Sequence, residues 1–91
     1  MRQSAKRDGN EAEIVDALEA CGATVQRIDA AGVPDLLVGY RNQNLLMEVK
    51  TKEERNRLTS RQKEWLARWH GQWEIVSTAN EAIKVLAEVT G

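Results

Sequence analysis

Two apolar runs, Asp35-Leu36-Leu37-Val38-Gly39-Tyr40 and Leu45-Leu46-Met47-Glu48-Val49-Lys50, flank the polar stretch Arg41-Asn42-Gln43-Asn44. That pattern reads as a β-hairpin. Side chains of a strand alternate between its faces, so Leu46, Glu48 and Lys50 share one side while Leu45, Met47 and Val49 share the other. A turn centred between Asn42 and Gln43 sets Asp35 opposite Lys50. Asp35 then lies diagonal to Glu48 on the same face, with backbones ~7–8 Å apart. A slip of one residue would carry Asp35 to the opposite face. A glutamate and a lysine near the end of an apolar strand cost free energy unless they are paired or hold a metal.

The flanking segments supply the remaining elements. A helix is expected from Asn10 to about Cys21, with Asn10 as cap, Glu13 at capping-box spacing and Gly22 as stop. Ile14, Ala17, Leu18 and Cys21 form its inward stripe. Residues 25–29 read as a short strand, and Ala30-Ala31-Gly32-Val33-Pro34 is turn chemistry. Residues 51–58 are charged and loop-like. A second helix runs from about Ser60 to Trp69, with Trp65, Leu66 and Trp69 as its apolar face. Residues 73–77 form a short strand. A last helix begins near Thr78, where Thr78 and Glu81 have capping-box spacing, and buries Ile83, Leu86 and Val89. The order αβββαβ plus a C-terminal helix is an α/β arrangement with a central mixed sheet. At 91 residues the chain is read as one domain, 1–91, with residues 1–9 as a flexible basic arm.

Composition narrows the chemistry. One cysteine, Cys21, excludes an internal disulfide and a multi-cysteine zinc site, and one histidine, His70, excludes a two-histidine mechanism. Triad hydrolases fail on the same count. No apolar run is long enough for a membrane span and no secretory signal is recognisable, so no membrane partner and a cytoplasmic location are expected, whether the chain is bacterial or phage-encoded. The net charge of −1 conceals a strong asymmetry. Residues 8–35 carry seven acids against Arg27 alone, whereas residues 50–70 carry seven positive charges against three acids. An acidic feature beside a basic one suits a polyanionic partner better than the total suggests.

Two carboxylates converging from adjacent strands are the minimum for a hard divalent cation, which takes oxygen ligands. Lys50, one strand step from Glu48, is placed to orient an attacking water or to stabilise developing negative charge. With Gly32-Val33-Pro34-Asp35-Leu36-Leu37-Val38-Gly39 followed by Leu45-Leu46-Met47-Glu48-Val49-Lys50, the chain resembles the PD-(D/E)xK nuclease superfamily. Within it the chain is similar to the VRR-NUC (virus-type replication–repair nuclease) family, over roughly residues 10–86.

The resemblance implies Mg²⁺ or Mn²⁺ held by Asp35, Glu48 and the backbone carbonyl of Val49, with Lys50 at the water. The related archaeal-type Holliday-junction resolvases add an acid on the first helix, and Glu11 and Glu13 compete for that place. At 100° per residue Glu11 falls about 45° from the centre of the Ile14–Leu18 stripe and Glu13 on the far side, which selects Glu11 as an inward acid. Its other reading is a first-turn acid complementing the helix dipole. Gln62 heads the stripe of Trp65, Leu66 and Trp69. Family members carry a glutamine here near the active site, and Thr59-x-x-Gln62 equally has capping-box spacing.

Lys52, Arg55, Arg57, Arg61 and Lys63 follow the catalytic strand and are read as DNA-binding, with Arg7 on the N-terminal arm. The three tryptophans are read as packing residues, His70 as a helix-end residue and Cys21 as a small buried one.

The functional expectation is a metal-dependent DNA endonuclease hydrolysing phosphodiester bonds. Little surface remains for reading a base sequence, so branched DNA or Holliday junctions are the expected substrates and a homodimer the expected assembly, in DNA repair. Two alternatives stand beside it. One is a catalytically idle DNA-binding or interaction module on a nuclease fold; the other is a sequence-specific restriction-type endonuclease.

Overall fold

The computed structural model describes residues 9–90. Its elements are α1 (Asn10–Ala20), β1 (Thr24–Arg27), β2 (Leu36–Tyr40), β3 (Gln43–Val49), a 3₁₀ turn (Lys52–Glu54), α2 (Ser60–Arg68), β4 (Trp73–Val76) and α3 (Ala79–Thr90). They form an α/β fold around a four-stranded mixed sheet in the order β1-β2-β3-β4. β1, β2 and β3 are antiparallel neighbours, and β4 runs parallel to β3. The expected element order is the observed one. Arg7 and most of the basic arm lie outside the described residues.

α1 ends in a glycine stop. The N–H of Gly22 donates to Glu19 O and that of Ala23 to Leu18 O, with Gly22 at φ +99°. Its start differs from the sequence expectation. Gly9 is the cap residue, with no side-chain cap bond, and Asn10 lies inside the first turn. The Asn10 amide instead donates to Ser77 O at 2.8 Å and to Lys50 O at 3.4 Å, tying the helix start to the ends of β4 and β3.

The β2–β3 turn is tighter than four polar residues suggested. Tyr40 pairs with Gln43, leaving Arg41 and Asn42 alone in the turn at φ 52° and 65°. Two positive φ values give the backbone the twist that matches its flanking strands. Gln43 and Asn44 therefore belong to β3, and the pairing moves two residues from the expected one: Leu36 lies opposite Met47. A shift of two preserves every face assignment, where a shift of one would have reversed them.

Leu36, Val38, Leu45, Met47, Val49 and Val76 line one face of the sheet and join Ile14, Val15 and Leu18 of α1 and Ala82 and Leu86 of α3 in a single core. α2 lies on the other face, above Glu48, and none of its residues is buried. Two stripe expectations need correction. Cys21 is exposed, because it caps α1 beyond its last inward turn. Ile83 is 37% exposed, because α3 turns the smaller Ala82 inward with Leu86 and Thr90 at four-residue spacing.

α2 and α3 start as the capping spacing indicated. Thr59 and Gln62 form both arms of a capping box. Thr78 Oγ1 accepts the Glu81 N–H at 3.1 Å, while the Glu81 carboxylate takes the N–H of Ser77 at 2.7 Å.

The turn conformation is testable. Asn42→Val places a β-branched residue at a positive φ and is expected to cost about 1–2 kcal/mol. Asn42→Gly is expected to be neutral or stabilising. Urea denaturation of both variants checks the pair.

Candidate metal and phosphodiester site

The site forms where β2 begins and β3 ends, on the face beneath α2. Extending the β2–β3 pairing one step beyond Leu36–Met47 sets Asp35 directly opposite Glu48. Such a position lies between hydrogen-bonded pairs, where side chains on one face come closest. The next step would pair Pro34 with Val49. Proline has no N–H to donate, so the ladder gives the Val49 carbonyl no donor from that residue. The Val49 N–H, on the same side of the strand, donates to Asp35 Oδ2 at 2.8 Å. Asp35 is thereby fixed at the strand end, beside a backbone carbonyl that faces the same way.

Glu48 is only 4% exposed. The Lys50 ammonium stands 3.5 Å from Glu48 Oε2, and the Gln62 amide of α2 donates to the same oxygen at 2.8 Å. Gln62 Oε1 in turn accepts from Lys50 Nζ at 3.4 Å. Burial pushes the Glu48 carboxyl up from 4.5 to about 7, and the Asp35 charge adds to the rise. Lys50 and the hydrogen bonds from Lys50 and Gln62 pull in the opposite direction without restoring the ordinary value. Two acids held together in a desolvated place favour either a proton or a cation between them.

Asp35, Glu48, Lys50 and Gln62 thus come together, with the Val49 carbonyl alongside. Glu11 is inward-facing and 4% exposed, whereas Glu13 is exposed, as the helix wheel indicates. Its carboxylate, however, meets the Arg27 guanidinium at 2.8 Å. Arg27 shares its face with Leu36 and so with the α1 core side. Among the described residues no three His, Cys, Asp or Glu side chains gather in a group fit to hold a metal. The ligand set that fits a cation is therefore two carboxylates and a carbonyl, all hard oxygen donors suited to Mg²⁺ or Mn²⁺.

The basic residues divide. Lys52, Arg57, Arg61 and Lys63 are exposed. Arg55 is engaged: its guanidinium bonds Ser77 Oγ and Glu81 Oε1 at 2.8 Å each and Ile75 O at 3.2 Å. Burial acts to raise the Glu81 carboxyl, but hydrogen bonds from Arg55 and the Ser77 backbone outweigh it and its pKa is lowered. Arg55 braces the segment after Lys50 against β4 and α3. No local pattern announces that role, since its acceptors lie 20 to 26 residues away.

Gly32, the first residue of the motif stretch, has a packing role that the sequence alone does not reveal. It adopts φ +82°, and a Cβ there would come within 2.7 Å of Arg61 Cγ and 3.1 Å of Arg61 O. Only glycine lets the loop before Pro34 close against the start of α2.

The raised Glu48 pKa has a defined sign in the metal-free protein. The unfolded chain releases this proton near 4.5 and the folded chain near 7, so the folded state holds more protons between them. Stability is then expected to fall as pH rises from about 5 to 7 and to level off above. Glu48→Gln should flatten that dependence, and Asp35→Asn should lower the Glu48 midpoint. Carboxyl NMR titration and denaturation at several pH values read both outcomes.

No family profile, curated protein or solved structure matches this chain.

Proposed function

We propose that this chain is a divalent-metal-dependent DNA endonuclease that hydrolyses phosphodiester bonds. The observation that carries the reading is the alignment of Asp35 with a buried Glu48 on adjacent strands, with Lys50 3.5 Å from the Glu48 carboxylate. An acid pair whose burial and mutual repulsion raise a carboxyl to about 7 is a site that a cation would relieve.

Asp35, Glu48 and the Val49 carbonyl would hold Mg²⁺ or Mn²⁺. When bound, such an ion supplies Lewis acidity toward a phosphoryl oxygen and lowers the pKa of a ligand water. The chain's own residues do the rest. Asp35 is held by the Val49 N–H and Glu48 by Gln62, so both carboxylates are oriented before any ligand arrives. Lys50 is part-buried and keeps its ammonium at the carboxylate, where it stabilises charge accumulating on the phosphate. Lys52, Arg57, Arg61 and Lys63 offer exposed positive charge to the neighbouring phosphates, giving sequence-independent, salt-sensitive binding. Glu11 contributes by pairing with Arg27 rather than as a ligand in this scheme.

DNA is the proposed partner, with branched forms preferred and a homodimer as the acting species. A two-fold pair of sites would match the symmetry of a four-way junction. Among the described residues no helix is long and apolar enough to cross a membrane.

Plasmid incubated with Mn²⁺ should be nicked or linearised, and chelation should stop the reaction. Asp35→Ala and Lys50→Ala should each reduce cleavage by at least about a hundredfold while the fold survives. DNA retention without cleavage by the unaltered chain would point to an idle binding module, and discrete fragments to a restriction-type enzyme.

Junction preference is checked separately. A labelled four-way junction should be cut faster than linear duplex or single strand, and light scattering should give twice the chain mass. Equal rates on every substrate together with a monomeric mass would remove both expectations.

A further inference from the structure

The Gln62 side chain has three partners and only one orientation that satisfies them. Its Oε1 accepts the backbone N–H of Thr59 at 2.9 Å and the Lys50 ammonium at 3.4 Å, while its Nε2 donates to Glu48 Oε2 at 2.8 Å. A side-chain amide can exchange its O and N by rotation, and at Glu48 or Lys50 alone the neighbouring side chain could shift in response. The Thr59 N–H cannot. It is a backbone donor fixed at the N-cap of α2, and Thr59 Oγ1 secures the same turn by accepting the Gln62 N–H at 3.1 Å.

Capping alone does not explain why residue 62 is glutamine. A glutamate serves equally at this position of a capping box and suits the positive end of the helix. It would, however, bring an acceptor where Glu48 receives a hydrogen bond, adding a third negative charge to the Asp35–Glu48 pair. Glutamine meets both demands at once: it caps the helix with its oxygen and holds the carboxylate with its nitrogen.

We infer that Thr59 is a positioning residue of the active site, its backbone N–H setting the Gln62 amide so that Nε2 holds Glu48 and Oε1 holds Lys50. The N-cap of α2 is then part of the reaction machinery as well as the start of a helix. This rests on the nuclease reading for its catalytic consequence, but the amide lock itself is observable without any activity.

The backbone permits a clean test. Thr59 has φ −70°, a value that proline adopts. Thr59→Pro removes the N–H and the hydroxyl together, Thr59→Ala removes the hydroxyl and keeps the N–H, and Thr59→Ser keeps both. In metal-free protein, the Gln62 side-chain NH₂ resonances should show slowed exchange in the unaltered chain, Thr59→Ser and Thr59→Ala, and lose that protection in Thr59→Pro. In Mn²⁺-dependent cleavage, kcat should fall about tenfold to a hundredfold further in Thr59→Pro than in Thr59→Ala, with KM for DNA little changed. Thr59→Ser should retain the full rate.

Gln62→Glu keeps the capping box and supplies an arm independent of proline's effect on folding. It should remain folded by circular dichroism, with a thermal stability lowered by the lost bond to Glu48, while losing kcat to a similar extent. Equal amide protection in all Thr59 variants, or equal kcat in Thr59→Pro and Thr59→Ala, overturns the proposal, as does full activity of Gln62→Glu. Loss of amide protection in Thr59→Pro, with no cleavage by even the unaltered chain, would leave the lock standing and overturn its catalytic role together with the nuclease reading.

Discussion

The alignment of Asp35 with Glu48 depends on how the chain turns between β2 and β3. Arg41 and Asn42 both occupy the left-handed region, and that two-residue turn fixes which residues of the hairpin face one another. From Tyr40–Gln43 onward each pairing follows without freedom, until Pro34 ends the ladder by having no N–H to give. The acid pair and the Val49 carbonyl are thus consequences of one turn and one proline. Glu48 lies on β3 and Asp35 immediately before β2, so the hairpin positions both.

The two faces of the sheet are packed differently. The α1–α3 side holds a continuous apolar core, where each buried aliphatic side chain contributes about 1.5–3 kcal/mol relative to exposure. The α2 side holds Leu46 and Glu48 beneath a helix with no buried residue of its own. That helix is attached by the Gln62–Glu48 bond and by the approach of Gly32 to Arg61, while Trp65 stacks on Trp69 at its own C-terminal end at 5.2 Å. An acid raised to about 7 weakens the metal-free fold at neutral pH, and the apolar face opposite is what offsets it.

What was legible in the sequence was parity and periodicity. Alternation placed Glu48 and Lys50 on one face, and the helix wheel separated buried Glu11 from exposed Glu13. The exact partner of Asp35 was not legible. Arg-Asn is a weak signal for a tight hairpin turn, because glycine usually supplies the positive φ there. The inward rotation of Ala82 instead of Ile83 was also hidden, since it follows from the packing of α3 on the core and not from hydrophobicity along the helix. Arg55 shows the same limit: its composition matches its basic neighbours, and only long-range acceptors distinguish it. The glutamine at position 62 had two readings, capping and site, and the structure shows the capping box together with a bond to Glu48.

Charge follows the same division, which a net charge of −1 conceals. Glu13, Asp16 and Glu19 are exposed on α1, on the side of the sheet away from α2. Lys52, Arg57, Arg61 and Lys63 are exposed on the segment that leaves β3 and enters α2. Arg55 is half-buried and bonded to Glu81 and Ser77, so it braces this segment. A polyanion approaching such a molecule is repelled from the α1 side and attracted toward the end of β3, where the carboxylates lie. Without a cation those same carboxylates would oppose the last step of approach. Positive charge around the carboxylates and negative charge among them thus sit at one end of the sheet, an arrangement that follows from the placement of residues on the two faces alone.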